Sequence, residues 1–144
     1  MFESHPLSIM NAPPSISCLT PVYTPGITLS VRVTGDWSRA LNQFARNNGY
    51  LVSEKTDDQQ STTPVHVMVD GPYGGCTLDL GQCETVLLIA GGAGVTFTLG
   101  MLDDIVGRCV RLGRQSNEKT RRIEFVWCMK SFGEFLTSAL NSLI

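Results

Sequence analysis

Gly91-Gly92-Ala93-Gly94-Val95-Thr96 is the stretch whose residue types and spacing most directly point to chemistry. Glycines let a backbone turn sharply and approach a phosphate closely. A helix beginning there offers amide N–H groups and a partial positive charge to an anion. The stretch is not the Gly-x-Gly-x-x-Gly dinucleotide fingerprint, and it lacks the Gly-Lys-Ser/Thr of a P-loop. A Gly-Gly-x-Gly run also serves as a plain strand-to-helix connection, so both readings stand here. Asp70-Gly71-Pro72-Tyr73-Gly74-Gly75 reads as a turn, or as a place where Tyr73 lies against a planar ring. Gly35-Asp36-Trp37-Ser38 reads as a helix start, with Trp37 either in a core or against a cofactor. His5-Pro6-Leu7-Ser8 reads as an exposed, extended segment. Lys130, Arg121 and Arg122 read as solvated charges near a strand. No Ser/His/Asp triad, Cys/His dyad or paired carboxylates assemble, so no catalytic residue is assigned. Hydride and electron transfer need none, because cofactors carry that chemistry.

Composition narrows the classes further. The chain has 144 residues, the size of one domain or of two incomplete ones. Lys plus Arg is 11 against 13 Asp plus Glu, a formal charge of −2 that argues against nucleic acid as partner. With 42% apolar and 17% charged residues the chain is expected to fold. Five cysteines without a Cys-x-x-Cys pair, and only two histidines, argue against a structural zinc site and fit reduced thiols. The start of the chain has no basic and apolar signal-peptide pattern, and the apolar run at residues 85–101 is broken by Gly91, Gly92 and Gly94, so no membrane helix is expected.

The elements that must position these residues follow from periodicity. Residues 28–33 alternate, which predicts a strand with Leu29, Val31 and Val33 on one face. Residues 37–47 predict a helix capped by Asp36, with Trp37, Ala40, Leu41 and Phe44 on one side and Asn47-Asn48-Gly49 as the stop. Residues 53–64 are polar and predict a mobile surface loop, and residues 65–69 predict a strand. Residues 85–90 show no alternation, as in a strand buried on both faces. Residues 96–112 predict a helix with Leu99, Leu102, Ile105, Val106, Cys109 and Val110 inward. Asp103, Asp104, Arg108 and Arg111 then point to solvent. A polar loop at 113–120, a strand at 123–127 and an amphipathic helix at 132–143 complete a βαβα pattern. The style changes near Gly81. The residues therefore read as a β-rich part over residues 1–80, followed by a partial α/β nucleotide-binding domain over residues 81–144. One βαβα unit is less than a usual doubly wound sheet, so the chain is expected to be part of something larger.

Taken in order, the segments resemble the cytosolic flavin/nicotinamide module of the fungal ferric reductases. That family is related to NADPH oxidases and more distantly to ferredoxin–NADP reductases. The carrying residues are His5-Pro6-Leu7-Ser8-Ile9, Gly35-Asp36-Trp37-Ser38-Arg39-Ala40-Leu41 and Asp70-Gly71-Pro72-Tyr73-Gly74, followed by Leu88-Ile89-Ala90-Gly91-Gly92-Ala93-Gly94-Val95-Thr96-Phe97 and Phe125-Val126-Trp127. The resemblance implies a ferredoxin-reductase-like fold whose first part is an FAD-binding barrel. It implies that His5, Pro6, Leu7 and Ser8 contact the flavin of FAD, with Leu7 standing where the family has phenylalanine. Gly35, Trp37 and Ser38 would receive the FAD diphosphate, through backbone N–H groups and the Ser38 hydroxyl. Gly71, Pro72, Tyr73 and Gly74 would lie where the two domains meet. Gly91, Gly92, Gly94, Val95 and Thr96 would cradle the NADPH pyrophosphate, and Lys130 would face its 2′-phosphate. No metal ligand is implied in this chain.

The resemblance also implies partners. Family members carry a heme-bearing membrane domain upstream and a further nicotinamide-domain segment downstream, with the present segment on the cytosolic side of the membrane. The implied activity is transfer of electrons from NADPH through FAD and heme to a ferric chelate. The competing readings are an NADPH oxidase with oxygen as acceptor, and a non-catalytic nucleotide-binding remnant. Phe97 stands where NADPH-oxidase relatives more often have proline, which leans toward the reductases.

Overall fold

The computed structural model describes residues 4–19, 26–49, 63–112 and 117–130. The elements, in chain order, are helix α1 (Asp36–Gly49), a 3-10 turn (Leu80–Gln82), strand β1 (Thr85–Gly91), a second 3-10 turn (Gly92–Gly94), helix α2 (Val95–Val110) and strand β2 (Arg122–Cys128). They fall into two compact units, each described by itself. One combines Met1–Ser30 with Cys76–Ile144, and the other is Val31–Gly75.

The first unit contains the βαβ motif. β1 and β2 are parallel, with Thr85 opposite Arg122 and Gly91 opposite Cys128, and α2 is the crossover between them. Val86, Leu88 and Ile105 form the buried centre, with Leu102, Val106, Ile123 and Phe125 packed around it. Each such side chain contributes about 1.5–3 kcal/mol when fully removed from water. The burial of β1 alternates, which corrects the expectation of a strand covered on both faces. Leu87 and Ile89 are 53% and 63% exposed. The side chains are uniformly apolar along the strand, so composition hid the alternation that α2 imposes by covering one face.

α2 differs from its expected orientation in a second way. Val110, expected inward, is 69% exposed, whereas Asp103, expected in solvent, is 3% exposed. The Asp103 carboxylate accepts from the Ala12 amide at 2.7 Å, the Ser17 hydroxyl at 2.6 Å, the Cys18 amide at 2.7 Å and the Leu19 amide at 3.1 Å. The N-terminal segment thus wraps around one anion on α2. Gly100 and Gly107 stand on the same face of the helix, at spacings that repeat with its turn. A Cβ on Gly100 would lie 2.8 Å from the Ile9 carbonyl oxygen, and one on Gly107 would collide with the Ile16 carbonyl. Small residues flanking an acid are what let a backbone lie directly on this helix.

The far end of α2 is held by Arg108, also expected in solvent. Its guanidinium pairs with Asp79 at 2.9 Å, Asp104 at 3.0 Å and the buried Glu118 at 3.8 Å. The hydrogen bond from Arg108, with a further one from the Gly81 amide, holds the Asp79 carboxyl below the usual carboxylate range. Thr120 is buried, and its hydroxyl points to the carbonyls of Leu80 and Cys83 at 3.1 and 2.9 Å. The polar loop expected at 113–120 is therefore partly built into the core edge, though residues 113–116 lie outside the described residues.

The strands expected at 28–33 and 65–69 are not formed. A single antiparallel bridge joins Ile9 and Leu29, and Val65, Val67, Met68 and Val69 are all exposed. A strand's alternating pattern depends on packing against partner strands, and among the described residues the first segment has only that bridge and the second has no strand partner. No barrel ladder is present among those residues. α1 forms as expected, but Gly35 rather than Asp36 is its cap, since the Gly35 carbonyl accepts from the Arg39 amide at 3.0 Å. Asp36 lies within the helix and pairs with Arg39 at 3.3 Å. Phe44, expected on the inner side, is 47% exposed. The loop at 53–64 and the helix at 132–143 lie outside the described residues, apart from Thr63 and Pro64. All five cysteines are free thiols.

The burial of Asp103 makes a sharp contrast with its neighbour. Asp103→Ala should cost about 3–5 kcal/mol, the range for breaking a buried charged network. Asp104→Ala, which loses only a half-exposed ion pair, should cost under about 1 kcal/mol. Urea unfolding midpoints of the two variants check this, and equal midpoints would place Asp103 outside the structural core.

Candidate nucleotide-binding sites

The glycine turn is produced by a change of backbone direction at the end of β1. Gly91 is extended, with φ −117° and ψ 125°. Gly92 has φ +49°, a left-handed conformation that favours glycine. Gly94 caps α2 without any side-chain hydrogen bond. A Cβ added to Gly91, Gly92 or Gly94 would meet no atom within 4 Å. Crowding inside the chain therefore does not demand glycine at 91 or 94, whereas the φ of Gly92 does. The outer side of the turn is open; the Val95 amide donates back to the Gly92 and Ala93 carbonyls, and the first-turn amides that follow it have no carbonyl of their own helix to bond. Such a terminus suits an anion. Val95, 3% exposed, fastens the first turn of α2 to the core, and the Thr96 hydroxyl donates to the Ala93 carbonyl at 3.1 Å.

Trp127 reaches the turn from the neighbouring strand. Its indole Nε1–H donates to the Gly92 carbonyl at 3.0 Å. Trp127 is registered with Ala90, so it shares the α2 face with Ile123 and Phe125. Sequence reading missed this contact, although the alternation of Ile123, Phe125 and Trp127 carried the signal. Because β1 and β2 are parallel and Gly91 lies opposite Cys128, the exposed Lys130 follows β2 at the same sheet end as the glycine turn. Arg122 lies opposite Thr85, at the other end, and pairs with Glu124.

His5, Pro6, Leu7 and Ser8 form an exposed extended segment in the same unit as the glycine turn. It leads directly into Ile9, which bridges Leu29 and lies over Gly100. The remaining candidates belong to the other unit. There Ser38 is 6% exposed, and its oxygen accepts from the amides of Thr34 and Gly35, both at 3.0 Å. Its proton goes to the Gly35 carbonyl at 3.0 Å. The hydroxyl therefore braces the loop that starts α1, and Trp37 beside it is half-buried.

Gly71, Gly74 and Gly75 all have positive φ, at 126°, 75° and 151°, and Gly71-Pro72 is cis. A Cβ on Gly71 would lie 3.2 Å from the Tyr73 amide nitrogen and 3.3 Å from its ring. Tyr73 is 79% exposed, and its hydrogen bond with Asp70 pushes the phenol pKa up. Its ring presents a broad surface to the exterior, as a planar ligand would need. Among the described residues no cluster of His, Cys, Asp and Glu could hold a metal ion, and no helix is long and apolar enough to cross a membrane.

Comparison with known proteins matches this order of segments. Residues 1–77 match the family model described as an FAD-binding domain, and residues 83–143 match the ferric reductase NAD binding domain. NADPH oxidase 1 of Mus musculus is 29% identical over 98% of this chain and 20% of its own length. Respiratory burst oxidase homolog protein C of Solanum tuberosum is 28% identical over 81% of this chain and 12% of its own. Ferric reduction oxidase 8, mitochondrial, of Arabidopsis thaliana is 21% identical over 91% and 15%. The chain thus spans a fifth or less of the length of these relatives. With an FAD-binding match over its first half and a ferric-reductase NAD-binding match over its second, the chain belongs to the ferric reductase and NADPH oxidase family.

Proposed function

We propose that this chain is the part of an NADPH-dependent reductase that binds NADPH and FAD. The observation that carries the reading is the open turn at Gly91, Gly92 and Gly94, set between a parallel strand and a helix start without a side-chain cap. When bound, NADPH supplies a hydride and FAD accepts it, releasing its electrons one at a time to a later acceptor. The chain's own residues bind and orient. The first-turn amides of α2 hold the pyrophosphate, with Gly91, Gly94, Val95 and Thr96 giving close backbone approach. Lys130 faces the 2′-phosphate. Gly35 and the first turn of α1 receive the FAD diphosphate through backbone N–H groups, while Ser38 fixes the loop shape rather than donating its proton. His5, Pro6, Leu7 and Ser8 contact the flavin, Trp37 belongs with Gly35 and Ser38 to the FAD-diphosphate group, and Gly71, Pro72, Tyr73 and Gly74 are further cofactor-binding residues. On this reading residues 1–80 are part of an FAD-binding barrel and residues 81–144 part of the nucleotide-binding domain. On the same reading a heme in a membrane domain would be the next electron carrier, with this segment on the cytosolic side, and a ferric chelate would be the final acceptor. The ferric-reductase description of the NAD-binding match supports that acceptor. A second reading, oxygen as acceptor, draws support from the oxidase names of the mouse and potato relatives.

Two variants test the nucleotide site. Gly94 has φ −64° and open space at its Cβ position, so Gly94→Val should cost about 1 kcal/mol or less of stability while obstructing the cradle. NADP⁺ affinity measured by calorimetry should fall by about tenfold or more, the effect of losing about 1.4 kcal/mol. Unchanged affinity in the folded variant removes the turn from the site. Gly92→Val is the poorer probe, because its left-handed φ adds backbone strain.

Lys130→Ala tests the specificity assignment. A lysine near a phosphate acts as a point charge, so the variant should raise the KM for NADPH by about five- to tenfold and leave that for NADH nearly unchanged. Parallel losses with both nucleotides would assign Lys130 to a shared phosphate or to folding.

A further inference from the structure

Gly92 is left-handed and its carbonyl is engaged by a side chain from another strand. A left-handed residue between a strand and a helix has a soft choice of peptide orientation, since glycine has no Cβ to restrict it. The Gly92 carbonyl accepts from the Val95 amide within the 3-10 turn, and the indole N–H of Trp127, 3.0 Å from the same oxygen, adds a second donor that narrows that choice further. Together the two donors fix the peptide plane between Gly92 and Ala93, and with it the direction of the Ala93 amide that follows. Ala90, the registered partner of Trp127, is a small residue 3% exposed, which leaves room for the indole on the α2 face. The turn is thus held from within by the Val95 amide and from β2 by Trp127.

We infer that Trp127 is a positioning residue for pyrophosphate binding, holding the Gly92 peptide so that the amides of the turn converge on the anion before the nucleotide arrives. The inference rests on the reading of this turn as the pyrophosphate cradle. It assigns to Trp127 no contact with the ligand. The inferred action of Trp127 passes through the Gly92 carbonyl, so it concerns the part of the nucleotide that meets the turn. The adenosine end, near Lys130, is outside its reach.

Trp127→Phe keeps an aromatic ring on the sheet face and deletes the N–H donor. Calorimetric titrations of the 144-residue chain with NADP⁺, which carries the pyrophosphate, and with 2′-AMP, which lacks it, separate the roles. The variant should lose about five- to tenfold in NADP⁺ affinity, one neutral hydrogen bond's worth, and bind 2′-AMP as the parent does. Trp127→His, which restores a ring N–H, should recover part of the loss. A general loosening of the fold would instead lower both affinities together, and that result, or an NADP⁺ affinity unchanged in Trp127→Phe, overturns the inference. Should Trp127→Phe fail to fold, Gly92→Ala is the second variant. It strains the same left-handed peptide from the other side and should weaken NADP⁺ selectively over 2′-AMP; equal losses count against the assignment. Gly94→Val is run alongside. If it binds NADP⁺ normally, the cradle reading itself fails. If it weakens NADP⁺ while Trp127→Phe does not, only the role of Trp127 falls.

Discussion

The buried carboxylate of Asp103 is the constraint on which the arrangement of the first unit depends. A charge removed from water is costly unless its hydrogen-bonding capacity is filled. Here both oxygens are filled, each by two donors from the Ala12, Ser17, Cys18 and Leu19 positions. Charge-assisted bonds are roughly twice as strong as neutral ones. The segment that supplies them contains Pro13 and Pro14, and the Pro13 carbonyl accepts from the amides of Ile16 and Ser17 at 2.9 Å each. The turn is thus closed on itself before it closes on Asp103. Asn11 fastens its other side, bonding the Gly26 carbonyl and the Thr28 amide. Residues within the FAD-binding match are in this way held on a helix within the NAD-binding match.

α2 accordingly serves four contacts with one cylinder. Its N-terminus ends the glycine turn, and one face carries Ile105 onto β1. Another face, with Gly100, Asp103 and Gly107, receives the N-terminal segment. Its last turns carry Arg108 to Asp79, Asp104 and Glu118. The Arg108 cluster also bears on the sheet register. Gly81, where a Cβ would crowd Arg108 and Glu118 at 3.1 Å, gives its carbonyl to the Lys119 amide at 2.7 Å. That bond brings the chain back to the start of β1 just before β2 begins, so Arg122 falls opposite Thr85.

Much of this unit was legible from residue order. The strand–glycine–helix–strand pattern stands within a residue or two of its expected bounds, because apolar runs and glycines report directly on it. The orientation of α2 was not legible from its own residues. Periodicity ranks faces by apolarity, and an acid flanked by glycines reads as the wet face. Only the donors at 12–19, more than 80 residues away in sequence, reverse that reading. The same limit applies to the strands expected at 28–33 and 65–69. Alternation records a preference for a half-buried surface, and whether a partner strand supplies one is a nonlocal fact. The cap of α1 was missed for a local reason. Asp36 has the right chemistry, but the Ser38 hydroxyl already satisfies the amides of Thr34 and Gly35, which shifts the cap to the glycine.

The two helix starts reach a similar form by different means. Both are capped by glycine, and a Cβ at either cap would meet nothing within 4 Å. At α1 the loop is braced from within, by Ser38 three residues into the helix. At α2 the Val95 amide also braces from within, and a further brace comes from the next strand, through Trp127 and the Gly92 carbonyl. A brace within one loop holds its shape wherever that loop goes. A brace from a neighbouring strand ties the loop to the sheet, and so to the register of β1 with β2. The geometry of the second turn is therefore set by long-range packing around Val86, Leu88 and Ile105. Substitutions far from the glycines, at the core or at Arg108, should act on the turn by shifting β2 against β1, whereas the start of α1 answers to its own few residues.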